Sequence, residues 1–261
     1  MAQLEKMTYA EYDSLPGIRA TDLKTLAKAP AQLHYDRTHE RETTPALTFG
    51  KLVHACFLEP ATVSDDYIAL PKLDRRTKEG KALYAEFLAA AEGKEVIAQD
   101  VMNEAHELSK SLMRNATAAE LLACSQIETT HVWDDVNDMR CKARIDIMGA
   151  DYCADLKTTA DASPKAVSQA IFKFGYHIQA AHYLAGTGKD RFIFIFVEKK
   201  APYLSAVYEL GAESIETGRA QRQELLGLYK ACEESDNWPG YPVEIETIDL
   251  PEYAFFGGYN D

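Results

Sequence analysis

Residues 139–157 read Met-Arg-Cys-Lys-Ala-Arg-Ile-Asp-Ile-Met-Gly-Ala-Asp-Tyr-Cys-Ala-Asp-Leu-Lys, two apolar-rich runs separated by Gly149-Ala150-Asp151. The pattern predicts two strands of one hairpin. Residues two apart on a strand share a face, so Asp155 and Lys157 point the same way, and Asp146 comes beside them across the turn. Two carboxylates and an ammonium then converge on a small volume. Carboxylate oxygens suit Mg²⁺, which keeps several waters and bridges to phosphate oxygens, and a lysine beside them can orient or deprotonate a water. The chemistry such a group serves is phosphodiester hydrolysis. A surface strand with a salt-bridged edge gives the same three residues, so the weight of the pattern comes from its surroundings.

Downstream, Ser163 to Leu184 is expected to be helical. Ser163 stands at an N-cap, Pro164 at the first helical position, and apolar residues recur at Val167, Ala170, Ile171, Phe174, Ile178 and Ala181. Gln179 and Tyr183, four apart, lie on one face of it. Upstream, Leu47 to Glu59 reads as a second helix, in which Gly50 is expected to allow close approach of another backbone and His54 to offer a neutral imidazole as a metal ligand.

Taken in order, Gly50-x-x-x-His54, Arg144-x-Asp146, Asp155-Leu156-Lys157 and Gln179-x-x-x-Tyr183 resemble the PD-(D/E)XK nucleases of the RecB-like group. Within it the sequence is most similar to the phage-type 5′→3′ double-strand exonucleases, exodeoxyribonuclease VIII (RecE-like) and the lambda exonuclease, from Ile18 to about Glu209. The resemblance implies that Asp146 and Asp155 are acidic metal ligands, with the Leu156 carbonyl another and His54 on a second metal. It makes Lys157 the water-activating lysine and sets Gln179 and Tyr183 against the active site and the DNA backbone. Glu128, on a strand expected over Gln126 to Trp133, matches an acidic position of some relatives, but a solvated strand glutamate is the preferred reading.

Two further stretches are read against DNA. Ile18-Arg19-Ala20-Thr21-Asp22-Leu23-Lys24 is a helix entry with Thr21 as N-cap, and a helix N-terminus is a ready anion site. Similar segments of lambda-type exonucleases hold the 5′-phosphate of the DNA, which implies that role for Thr21 with Arg19 and Lys24. Arg75, Arg76, Lys78 and Lys81 cluster before an alanine-rich helix carrying Leu83, Phe87 and Leu88. Charge runs are usually solvated faces, but a similar stretch recurs in RecE-like exonucleases, so this one is expected to be an arm on the DNA backbone. Arg144 joins the DNA-binding set.

The 261 residues are 46% hydrophobic, enough for a full core, and are taken as one domain: a helical part to about 125, a catalytic sheet and helices to about 232, and an irregular tail over 233–261. A net charge of −13 argues against indiscriminate nucleic-acid binding. It leaves room for a local basic path, toward which an acidic exterior would steer DNA. Cys56, Cys124, Cys141, Cys153 and Cys232 lack C-x-x-C spacing and read as buried free thiols of a reducing cytoplasm, without the cysteine group of the iron–sulfur Cas4 and AddB-type relatives. The first 17 residues lack the regions of a signal peptide, and Phe192 to Val197 is too short to span a bilayer.

Helices are expected at Thr21 to Ala29, Thr48 to Leu58, Lys78 to Ala91, Asp100 to Ala123 and Ile215 to Cys232, and strands at Arg191 to Val197 and Pro202 to Leu210. The fold class is α/β, a PD-(D/E)XK restriction-endonuclease-like core with a mixed central sheet flanked by helices and an N-terminal helical elaboration. His131, His177 and His182 are read as packing or surface residues, Trp133 and the Phe192 to Phe196 aromatics as core, and the tail ending Phe255-Phe256-Gly257-Gly258-Tyr259 as packing on its own domain or a neighbouring subunit. The resemblance implies a Mg²⁺-dependent exonuclease, with Mn²⁺ as a substitute and two ions per site. It would act on double-stranded ends that carry a 5′-phosphate, form a toroidal homo-oligomer (a trimer before a tetramer) and work with a single-strand annealing protein. The alternatives are a structure-selective endonuclease of the same fold and a DNA-end-binding scaffold without catalysis.

Overall fold

The computed structural model describes residues 2–3, 7–39, 43–135 and 138–250; the aromatic tail at 255–259 lies outside them. The centre of the fold is β7 (Arg191–Glu198), whose side chains alternate between two cores. Phe192, Phe194 and Phe196 enter one, Ile193, Ile195 and Val197 the other, and none is more than 5% exposed. A strand buried on both faces reads as an unbroken apolar run, and this one does.

Around it lies a six-stranded mixed sheet in the order β1-β4-β5-β6-β7-β8. β1 (Ala2–Gln3) pairs with β4 (Gln126–Asp134), and β4 with β5 (Arg140–Met148), both antiparallel. β5 turns into β6 (Tyr152–Thr159), which runs parallel to β7, and β8 (Ser205–Glu209) closes the edge antiparallel. The last strand is shorter than the expected span from Pro202 to Leu210. The parallel step from β6 to β7 needs a crossover, supplied by α9 (Pro164–Lys173) and α10 (Tyr176–Thr187). The single helix expected from Ser163 to Leu184 is therefore two. Gly175, at φ +62°, breaks it, and the tilt turns α10 onto the sheet.

On the phenylalanine face lie α2 (Ala20–Lys28), α3 (Pro30–Thr38), α10 and α11 (Ala212–Ser235). Gly218 lets α11 come down on α10, because a Cβ there would overlap the His177 carbonyl. On the isoleucine face lie α4 (Pro45–Leu58), α7 (Gln99–Arg114) and α8 (Ala116–Ala123). The helix expected from Asp100 to Ala123 is divided at Asn115, whose side chain leaves α7 to cap α8 through Ala118 N–H at 3.2 Å. Two short strands, β2 (Tyr67–Leu70) and β3 (Glu95–Ala98), form a separate parallel pair. Between them α6 (Lys78–Ala90) buries only Gly80. Trp133 is 4% exposed, and His131, His177 and His182 are buried, as packing residues should be. Four cysteines are buried, but Cys124 is exposed, against expectation.

Candidate active site

The site begins where the β5–β6 hairpin opens. The two strands pair only through Met148–Cys153 and Ile147–Ala154. One step further, the register sets Asp146 opposite Asp155, and there the ladder stops. The Asp146 carboxylate takes the place of a backbone acceptor, receiving the Leu156 N–H at 2.9 Å. The neighbouring strand adds a third acid at the same level, since Ile127 pairs with Ile147 and Thr129 with Ile145, which leaves Glu128 abreast of Asp146. Glu128 breaks the ladder with φ +54°, a left-handed conformation that costs a non-glycine residue roughly 1–2 kcal/mol. Such strain persists only where surrounding contacts hold it. Its carboxylate accepts Arg144 Nε at 2.5 Å and is 14% exposed. The expected solvated strand glutamate is instead half-buried and stands beside Asp146 and His54.

α4 brings His54 to this group. Its Nδ1 lies 3.4 Å from Asp146 Oδ2, and its Nε2 donates to the Leu156 carbonyl at 2.8 Å. That donation fixes the tautomer and leaves the Nδ1 lone pair facing the acids. One donor atom each from His54, Glu128 and Asp146 lies within 4.8 Å of the others, which is the reach of a single divalent cation. Burial pushes the Glu128 carboxyl up to about 7, with Asp146 adding to it against Arg144. Burial, then Asp155, raises Asp146 well above the usual carboxylate range, while burial lowers the His54 imidazole. Protons therefore compete for the positions a metal would fill. An imidazole with carboxylate oxygens fits Mg²⁺ through the oxygens and Mn²⁺ through the whole set. Gly50, one turn before His54, has open space on its bare face, so its expected close approach to another backbone does not occur.

Asp155 is held from the other side. Gln179 Nε2 donates to its Oδ1 at 2.5 Å, and the Lys157 ammonium pairs with its Oδ2. Burial alone would lower the Lys157 amine, but Asp155 and Asp146 outweigh it, so the residue is an ammonium. Tyr183 follows Gln179 by four residues on the same face of α10. Lys24 of α2 reaches Gln179 Oε1 at 3.4 Å, and burial followed by Lys157 brings its amine down to about 8. Tyr176, which the sequence reading passed over, completes this side: Lys157 Nζ lies 4.9 Å and Lys24 Nζ 5.4 Å from its ring centroid. Its place three residues before Gln179 on one helix was the available signal.

The N-cap of α2 is Arg19, not Thr21, and Thr21 is exposed in the first turn. The Asp22 carboxylate fills that helix end, accepting the Arg19 backbone N–H at 3.0 Å. Arg19 is itself paired with Asp13 and Asp22, at 2.7 and 3.2 Å. Arg75 stacks 4.9 Å over the Tyr84 ring, and Arg76 pairs with Asp74 while its side chain stays 93% exposed. Lys78 and Lys81 are exposed on the first turn of α6. Arg144 Nη1 is buried without a hydrogen-bond partner, so one donor next to the acidic group remains unused.

A mixed sheet whose central hairpin splays to present Asp146 and Asp-Leu-Lys, with a histidine from a preceding helix and a glutamine from the crossover helix, defines the PD-(D/E)XK class. The chain belongs to the family described as PDDEXK-like domain of unknown function (DUF3799), whose profile matches residues 20–251. No curated protein matches the sequence. Among solved structures it is similar to a provisionally named exonuclease from Eubacterium rectale, at 14% identity and a TM-score of 0.66 over 97% of this chain and 99% of that one. That likeness bears out the expected fold. A phage-related exonuclease from Haemophilus somnus 129PT (12% identity, TM-score 0.39, 87% of this chain and 100% of that one) is a weaker match. So is the alkaline exonuclease of Laribacter hongkongensis (15%, 0.31, 61% and 84%). Among the described residues, no helix is long and apolar enough to cross a membrane.

Proposed function

We propose that this protein is a divalent-metal-dependent exodeoxyribonuclease that works from the ends of double-stranded DNA, degrading the 5′-ended strand and releasing 5′-mononucleotides. The observation that carries the reading is the fork itself, where His54, Glu128 and Asp146 gather on one side of Asp155 and Lys157. Mg²⁺, or Mn²⁺ in its place, would be held by His54, Glu128 and Asp146, with Asp155 and the Leu156 carbonyl within the same fork, and two ions are proposed per site. When bound, the metal neutralises charge on the attacked phosphate and acidifies water.

The chain's own residues supply the rest. Water attacks phosphorus in line with O3′, the P–O3′ bond breaks, the nucleotide leaves with its 3′-hydroxyl, and a new 5′-phosphate remains. Lys157, an ammonium here, orients that water and offsets negative charge on the phosphate oxygens rather than removing the proton. Gln179 fixes the rotamer of Asp155, Tyr183 supports Gln179, and the unused Arg144 N–H donates to a phosphate oxygen. Lys24, with Thr21 and Arg19, is proposed at the 5′-phosphate. Because Arg19 is already paired, Lys24 carries most of that charge. Arg75, Arg76, Lys78 and Lys81 contact the duplex backbone. The assembly proposed is a toroidal trimer in the cytoplasm, feeding 3′ single strands to an annealing protein in recombination and repair.

The test uses end-labelled linear duplexes with 5′-phosphate or 5′-hydroxyl, a covalently closed circle, Mg²⁺, Mn²⁺ or EDTA, and Lys157→Ala as control. Metal-dependent release of 5′ label as mononucleotide from the phosphorylated duplex, with the circle intact, is the expected result. A cut circle replaces this reading with a structure-selective endonuclease, and inertness on every substrate leaves an end-binding scaffold.

A further inference from the structure

Two ammonium groups meet one aromatic ring beside one carboxylate. Lys157 comes from β6 and Lys24 from α2, and both lie within cation–π distance of Tyr176, at 4.9 and 5.4 Å. The arrangement is built in. Gly175, just before Tyr176, has no side chain, and a Cβ there would press on the Lys24 stem at 3.2 Å, so the glycine lets that stem cross the start of α10. The ring is fixed in turn by Phe194 and Phe196, with centroids 5.8 and 6.4 Å away. Asp155 has one carboxylate and spends it on Lys157 and Gln179. Lys24 feels the Asp155 charge without pairing with it, and approaches Gln179 Oε1 at 3.4 Å and the face of the ring. Two half-buried cations on one ring, with Asp155 bound directly to only one of them, leave Lys24 able to take an anion, and the ring's negative face reduces the repulsion between them until it arrives.

We propose that Tyr176 is a positioning residue, whose ring holds the Lys24 and Lys157 ammonium groups in the geometry that receives a DNA phosphate. The inference rests on the nuclease reading and deepens it. It assigns the role to the ring and not to the hydroxyl, and it makes the lysines act as a pair.

The test compares Tyr176→Leu, which keeps much of the volume and removes the ring, with Tyr176→Phe, which keeps the ring. Both are assayed by steady-state exonuclease kinetics on phosphorylated linear duplex, with melting temperature and near-UV circular dichroism confirming folding. Each desolvated cation–π contact corresponds to roughly a tenfold effect, so Tyr176→Leu is expected to lower kcat/KM by about 10- to 100-fold. The loss is expected in kcat through Lys157 and in KM through Lys24, and Tyr176→Phe is expected to rescue most of it. A cycle with Lys24→Ala tests the pairing: once the ring is gone, removing Lys24 should cost clearly less than in the wild type. Folded Tyr176→Leu protein with wild-type constants, Tyr176→Phe as defective as Tyr176→Leu, or strict additivity would each overturn the proposal. Wild-type protein inert on all DNA would instead remove the nuclease reading, and this inference with it.

Discussion

Replacing Glu128 with glutamine should flatten the pH dependence of stability in the metal-free protein. A carboxyl moved from 4.5 to about 7 by burial binds its proton more tightly in the folded state than in the unfolded one. The stability this confers is complete below pH 4.5 and is lost progressively as pH rises to about 7, where the folded protein must carry the buried charge. At about 1.4 kcal/mol per pH unit, the pH-dependent part from this residue is roughly 3 kcal/mol. With Glu128 14% exposed, solvent screening takes little from it. Asp146 is shifted in the same direction and adds to the slope. Glutamine keeps an oxygen for Arg144 Nε and carries no charge, so its share of the slope disappears. Melting in EDTA from pH 5 to pH 8 should therefore lower the wild-type midpoint by about 5–10 °C more than that of Glu128→Gln, at roughly 2–4 °C per kcal/mol for a chain of this size. Mn²⁺ or Mg²⁺ at pH 8 should restore the wild type and restore the variant much less. Parallel curves in EDTA would refute the buried charge, and equal metal rescue would remove Glu128 from the metal set.

Lys157→Ala should keep DNA-end binding while losing at least about 100-fold in cleavage rate, as expected when a group acts in the transition state; single-turnover cleavage beside a gel-shift assay checks it. Arg75→Ala with Arg76→Ala should weaken duplex binding and reduce the dependence of log K on log salt by up to about 2, and an unchanged slope would exclude the arm from phosphate contact. Gly218→Ala should destabilise by about 2 kcal/mol because its Cβ would meet the His177 carbonyl, whereas Gly227→Ala, with nothing within 4 Å, should stabilise by up to about 1 kcal/mol. Thermal or urea melting of the pair reads both signs within one helix.

The parts of the site that were legible in the sequence are those with local periodicity. The hairpin carrying Asp146 and Asp155-Leu156-Lys157 has a turn at Gly149 and two apolar runs, so counting outward from the turn gives the register. Glu128 needed a second count, outward from the acidic stretch at 134–138, and the positive φ that turns it inward leaves no mark in composition. Helix breaks were missed for a similar reason. Across Gly175 and Asn115 the apolar spacing continues, and the breaks come from tertiary packing and a cap. The small parallel pair, four residues per strand, is too short for either period to register. Arg19 shows the opposite error, because a cation beside a helix start looked free when its charge was already committed to Asp13 and Asp22.

The net charge of −13 and a proposed DNA substrate are reconciled at the fork. If all six groups there ionise, Glu128, Asp146 and Asp155 contribute three negative charges, and Lys24, Arg144 and Lys157 three positive. With all six ionised the bare pocket is neutral, and because Asp146 is raised to about 8 and Glu128 to about 7, proton uptake makes it weakly positive by neutral pH. That small excess lies within a chain of net charge −13, so the pocket has little long-range pull on a phosphate backbone of its own. Each divalent ion at the acids adds two positive charges where solvent is largely excluded, and there a charge acts over short distance with little screening. The acidic exterior discourages nonspecific contact along the duplex, and attraction is confined to the one place where strand geometry has collected the acids. On this reading the metal gates substrate engagement at the fork as well as chemistry. End binding by Lys157→Ala should then strengthen with Mn²⁺, and adding Glu128→Gln should make that metal response much smaller.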